Sequence, residues 1–136
     1  MSAKPETNFS NAIRASLPDG VYSMKNSNDY TSGIPDLWFS GKKGDLWVEM
    51  KFVPKLPKLV PLRPYDLLSS LQEKWLRDRY EEGRNVAVII GCKRASRLEG
   101  FLLRDLAWER DIAPSTFDSL ILSKSELVDF IKGQVL

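Results

Sequence analysis

The chain has 136 residues, 43% hydrophobic and 28% charged, which suits one compact domain over residues 1–136. Its 20 basic and 18 acidic residues leave a net charge of +2, so any electropositive site must come from local clustering. With no histidine and one cysteine, Cys92, the composition excludes Ser-His and Cys-His nucleophiles, imidazole or multi-thiolate zinc sites and an intrachain disulfide.

Chemistry must therefore rest on carboxylates, lysine, hydroxyls and a hard cation held by oxygen. The unpaired cysteine points to a reducing compartment. The opening "MSAKPETNFS" has no apolar signal region, and no apolar run approaches membrane-spanning length. The expected location is the cytoplasm, a host cell's if the chain is viral.

Residues 5–17 read as a short amphipathic helix, with Pro5 in its first turn and Phe9, Ile13 and Leu17 as its apolar stripe. "VYSMK", 21–25, reads as a strand and "NSNDYTSG", 26–33, as a polar turn. "IPDLWF", 34–39, is a second strand, "SGKKGD" a hairpin turn, and "LWVEMKFV", 46–53, a third strand. Alternation along that strand sends Leu46, Val48, Met50 and Phe52 to one face and Trp47, Glu49, Lys51 and Val53 to the other. Residues 54–66, with four prolines, read as a stiff basic loop.

The spacing predicts a helix over 69–83, with capping boxes available at Ser69–Gln72 and Ser70–Glu73. Leu68, Leu71 and Trp75 form its stripe, Leu76 lies beside it, and Gly83 ends it. "NVAVIIGC", 85–92, reads as a strand buried on both faces, 97–103 as a further strand, and 123–133 as a helix capped by Ser123 and Glu126. The order is α-β-β-β-α-β followed by an extension, residues 93–136. Three strands joined by short turns predict an antiparallel meander, and the strand–helix–strand segment 46–92 predicts a parallel pair.

A turn centred on Lys42 and Lys43 sets Asp36 across from Glu49, with Cβ atoms roughly 4.5–5.5 Å apart. Two carboxylates that close repel each other, and a divalent cation such as Mg²⁺ between them removes the repulsion. Lys51, one pleat along, can supply positive charge to an attacking water or to a phosphate, and the Met50 carbonyl is a further candidate ligand. The competing reading is a solvated face with a surface ion pair. Lys55, Lys58 and Arg63, with no acid before Asp66, suit a phosphate backbone or a solvated linker.

"GIPDLWF", "WVEMK" and "LSSLQEKWLRDRYEEGRNVAVII" together resemble the PD-(D/E)XK nuclease superfamily, and within it the VRR-Nuc family, over residues 6 to about 92. The resemblance implies an α/β restriction-endonuclease-like fold: an αβββαβ core over about 5–92 with a C-terminal extension. It implies that Asp36 and Glu49 hold Mg²⁺, with Mn²⁺ as a substitute. Lys51 would activate water, Gln72 would approach the site as the family's glutamine does, and Glu6 would be an additional acid. Glu6 also reads as an acid complementing a helix dipole. Lys25 is read as a phosphate contact or a plain surface lysine, and Lys42 and Lys43 join the candidate DNA contacts. The tripeptide Val-Arg-Arg is absent.

The implied activity is metal-dependent hydrolysis of DNA phosphodiesters by an endonuclease selective for branched, Holliday-junction-like substrates and acting as a homodimer. Two alternatives stand beside it: a sequence-specific restriction or homing endonuclease on the same fold, and a DNA-binding module without catalysis.

Overall fold

The structure is a computed structural model, which describes residues 4–26 and 33–136. All but the ends of the expected polar turn over 26–33 lies outside the described residues. The elements are α1 (Pro5–Ala15), β1 (Tyr22–Lys25), β2 (Leu37–Ser40), β3 (Asp45–Phe52), α2 (Pro64–Leu67), α3 (Ser70–Glu81), β4 (Val86–Arg94), β5 (Arg97–Leu103), α4 (Phe117–Leu120), β6 (Leu122–Ser123) and α5 (Lys124–Val135). Short 3-10 turns at Ala107–Glu109 and Pro114–Thr116 complete the connection from β5 to α4.

Among the described residues the strands form one sheet in the order β1-β2-β3-β4-β5-β6. The meander β1-β2-β3 is antiparallel, and β3 pairs with β4 in parallel, as the crossover required. The remaining pairs are antiparallel. Leu37 opposes Val48, so the hairpin register carries Asp36 across from Glu49.

The alternation in β3 is realised as two cores, one on each face of the sheet. Leu46, Val48 and Met50 join Leu37, Phe39, Ala87 and Ile89 under α1 and α5, which contribute Phe9, Ile13, Leu127 and Ile131. Trp47 and Val53 pack on the other core, where Val88, Ile90 and Phe101 meet Leu76, Trp108, Ile112 and Phe117. Each fully buried aliphatic or aromatic side chain stabilises the fold by about 1.5–3 kcal/mol. The extension after residue 92 supplies β5, β6 and α5, so it furnishes much of both cores.

Two glycines place helices against the sheet. A Cβ on Gly91 would sit 2.6 Å from the Phe9 ring, so β4 must be bare there for α1 to dock. Gly33, at φ +83°, would place a Cβ 2.2 Å from the Leu71 carbonyl, so the chain leading to Asp36 lies directly against the start of α3.

Some boundaries differ from expectation. β2 starts at Leu37 rather than at Ile34, with Pro35 buried ahead of the ladder it cannot donate to. Leu71 is 52% exposed, because it lies a turn before the half-buried Trp75, at the margin of the packed face of α3. The capping box forms at Ser69–Gln72, and the loop after β3 contains α2 and a bridge between Leu62 and Ile112. Among the described residues no helix is long and apolar enough to cross a membrane.

Candidate metal centre

The β2–β3 ladder stops at Leu37↔Val48. Beyond that point the Met50 N–H donates to Asp36 Oδ2 at 3.3 Å, which turns the Asp36 carboxylate toward β3. In a strand a residue's N–H and C=O project to the same side, so the Met50 carbonyl shares the side of β3 on which Asp36 lies. Glu49 follows from the neighbouring position of β3, on the face opposite Met50. Glu6, in the first turn of α1, brings a third carboxylate.

Glu6, Asp36 and Glu49 each offer an oxygen, and these oxygens lie within 4.8 Å of one another. Glu49 is 1% exposed. Its Oε1 is buried with no hydrogen-bond partner, and its Oε2 lies 3.5 Å from Lys51 Nζ. A buried, unpartnered carboxylate oxygen is expensive unless a proton or a cation meets it. The donor set is all oxygen and anionic, which fits a hard divalent cation and not a soft one.

The electrostatics agree. Burial, and then the charge of the adjacent Asp36 carboxylate and a hydrogen bond shared with it, push the Glu49 pKa up to about 9, against the opposing charge and hydrogen bond of Lys51. Glu6 is raised as well, chiefly by burial, with Lys51 lowering it, Asp36 raising it, and Lys25 and Lys4 lowering it further. Without a cation Glu49 thus keeps at neutral pH a proton that an ordinary carboxylate would have released.

Other candidate residues fall into distinct places. Lys25 ends β1 opposite Leu37 and acts on Glu6 through its charge. The Gln72 side-chain oxygen accepts from the Ser69 N–H, so it is engaged in the cap of its own helix. Lys42 and Lys43 occupy the opposite end of the β2–β3 hairpin, about 20 Å from Glu49 at a rise of ~3.3 Å per residue. There Lys43 Nζ donates to Gly133 O at 2.9 Å and its backbone N–H donates to Val135 O, fastening the turn to the end of α5.

Lys55 and Lys58 line a cavity of about 460 Å³ together with Lys93 and Arg94. Arg63 Nε lies 4.0 Å from Asp111 Oδ2. Lys93 and Arg94 were not singled out from the sequence. The signal was available in the parallel pairing of β3 with β4, which brings the ends of both strands out on one side of the sheet.

This arrangement, a mixed sheet flanked by helices with an αβββαβ core, defines a restriction-endonuclease-like fold. Among solved structures that match is Hjc from Archaeoglobus fulgidus, a Holliday junction resolvase from an archaeal hyperthermophile, with a TM-score of 0.54 and 20% identity, covering 90% of this chain and 98% of that one. No protein-family model and no curated protein matches the chain.

Proposed function

We propose that the chain is a metal-dependent DNA endonuclease of the VRR-Nuc type, selective for branched DNA and acting as a homodimer. The observation that carries this reading is the three-carboxylate cluster with the unpartnered Glu49 Oε1 beside Lys51. The fold shared with Hjc supports the choice of branched DNA.

Glu6, Asp36 and Glu49 would hold Mg²⁺, or Mn²⁺ in its place, with the Met50 carbonyl as a further ligand. The cation, when bound, supplies a water of lowered pKa and neutralises phosphate charge. Lys51 places its ammonium beside the same acids, where it faces the phosphate and stabilises the charge that develops on it. Gln72, whose side-chain oxygen is held in the cap of its own helix, would serve the site through its amide group. Lys25, Lys55 and Lys58 hold phosphates on either side, with Lys42, Lys43 and Arg63 as more distant contacts.

The test is cleavage of labelled linear duplex, nicked, flap and four-way substrates with and without Mg²⁺. The expected result is Mg²⁺-dependent cutting of branched substrates that Asp36→Ala abolishes. Absence of cutting by the wild type, or equal cutting by Asp36→Ala, overturns the reading.

A further inference from the structure

Directly after the strand that carries Glu49 and Lys51, residues 54–61, "PKLPKLVP", form a projection framed by Pro54, Pro57 and Pro61. Its base is pinned on both sides. The Val53 N–H donates to Gly91 O at 2.8 Å, and Leu62 and Ile112 exchange backbone hydrogen bonds of 2.9 and 2.8 Å. Leu56 packs on the core beneath. The prolines fix φ near −65° and remove donors, so the chain between these anchors is held stiffly.

At the tip Leu59 is 96% exposed and Val60 59% exposed. Single exposed apolar residues are ordinary. These two differ in their setting. They are adjacent, they are the exposed part of a proline-stiffened loop, and that same loop carries Lys55 and Lys58. Lys58 precedes Leu59, and Lys55 and Lys93 line the cavity at the loop's base. The charge of Arg94 in that cavity is met by Glu99 and Asp118, whereas none of the three lysines has an ion-pair partner among the described residues. An exposed aliphatic pair on a loop whose lysines, with Lys93, line one cavity without ion-pair partners is complementary to a polyanion that also offers an apolar interior. DNA bases flanked by phosphates present that combination.

We propose that Leu59 and Val60 form a wedge that enters DNA at a branch point, while Lys55, Lys58 and Lys93 grip the phosphates beside it. This rests on the nuclease reading above and adds to it the device that selects branched DNA. Inserting an aliphatic side chain between bases requires unstacking. A continuous duplex resists that step, whereas at a branch the stacking is already interrupted. The wedge therefore favours branched over linear DNA without reading any sequence, from the loop that follows the strand carrying Lys51.

The experiment uses the full chain carrying Asp36→Asn, so that DNA stays intact, with 2-aminopurine at the branch of a four-way junction or flap. The expected result is a rise in fluorescence on binding. The double substitution Leu59→Ser, Val60→Ser removes that rise and weakens branched-DNA binding at least tenfold, with linear-duplex affinity and melting temperature unchanged. Lys58→Ala weakens both substrates alike. Retention of the fluorescence rise and of the branched preference by the double variant overturns the wedge. So does a wild-type oligomer, seen by sedimentation, that the double variant dissolves, since the tip would then be a self-association surface. If the wild type cuts branched DNA through Asp36 and the double variant cuts it equally well, the wedge falls and the nuclease reading stands. If the wild type neither binds nor cuts DNA, both fall.

Discussion

The Met50 N–H donates to Asp36 Oδ2 at 3.3 Å, so the carboxylate opposite Glu49 is held against the strand that carries Glu49. That bond continues the link between the strands past Leu37, where the regular β2–β3 ladder stops, and it keeps two acids together in spite of their repulsion. Without a cation the pair is held by leaving Glu49 protonated at neutral pH, and a bound cation would let it ionise. That balance sets the expected response of the protein to pH and to added metal.

Glu49→Gln stabilises the metal-free protein at neutral pH. The folded-state pKa of Glu49 is raised from 4.5 to about 9. Below pH 4.5 both folded and unfolded chains carry the proton and the site imposes no penalty. Between these values the unfolded chain ionises while the folded one does not, so this group's contribution to stability falls as pH rises, levelling off above 9. At pH 7 the penalty is on the order of 3 kcal/mol. The variant is expected to melt roughly 10 °C higher than wild type at pH 7 in EDTA. The difference should vanish near pH 4.5. Thermal melts across that range check both points.

Adding Mg²⁺ or Mn²⁺ is expected to close most of that gap at pH 7. A cation binds the ionised cluster, so binding at pH 7 releases close to one proton from Glu49 and tightens as pH rises. At a concentration 100 times Kd the wild type gains about 2.7 kcal/mol, while Glu49→Gln and Asp36→Ala gain almost nothing. Calorimetry in buffers of differing ionisation enthalpy counts the protons.

Much of this site was legible before the structure, for physical reasons that also mark where legibility stopped. The period-two alternation from Leu46 to Val53 assigns each side chain to a face without knowledge of the rest of the chain. The short turn at Lys42 and Lys43 fixes the register of Asp36 against Glu49. Contacts made by distant segments leave no such period. Leu71 matches the helical stripe, but its exposure depends on where α3 overhangs the sheet. Lys43 stands among the candidate DNA contacts in the sequence, yet the end of α5, some ninety residues later, claims its ammonium. Lys93 meets Lys55 only through the parallel pairing of β3 with β4, and the presentation of Leu59 follows from anchors at Gly91 and Ile112.

Lys51→Met separates charge stabilisation from metal binding. The ammonium lies 3.5 Å from Glu49 Oε2 and partly offsets the rise in the pKa of that acid. Its loss should cut the cleavage rate by about 10²–10³. Metal binding should persist, with its pH midpoint shifted upward, since Glu49 then ionises less readily. A variant that loses metal binding outright would give Lys51 a structural role instead. Single-turnover cleavage and metal titration together make the distinction.

Gly91→Ala tests how the first helix is seated. The added methyl would stand 2.6 Å from the Phe9 ring, and Phe9 lies one turn along α1 from Glu6. The expected cost is about 1–3 kcal/mol from overpacking. Because α1 must shift outward to accept the methyl, metal affinity should fall as well, more than in a core variant that leaves α1 in place. Gly133→Ala supplies the contrast. A Cβ there meets nothing within 4 Å, and the residue lies inside α5. That substitution should raise stability by about 0.5–1 kcal/mol through helix propensity alone, with metal affinity unchanged. Denaturant unfolding of both variants, paired with Mn²⁺ titration, reads the two effects separately. Equal metal affinity in Gly91→Ala and wild type would mean that Glu6 reaches the cluster independently of how Phe9 packs.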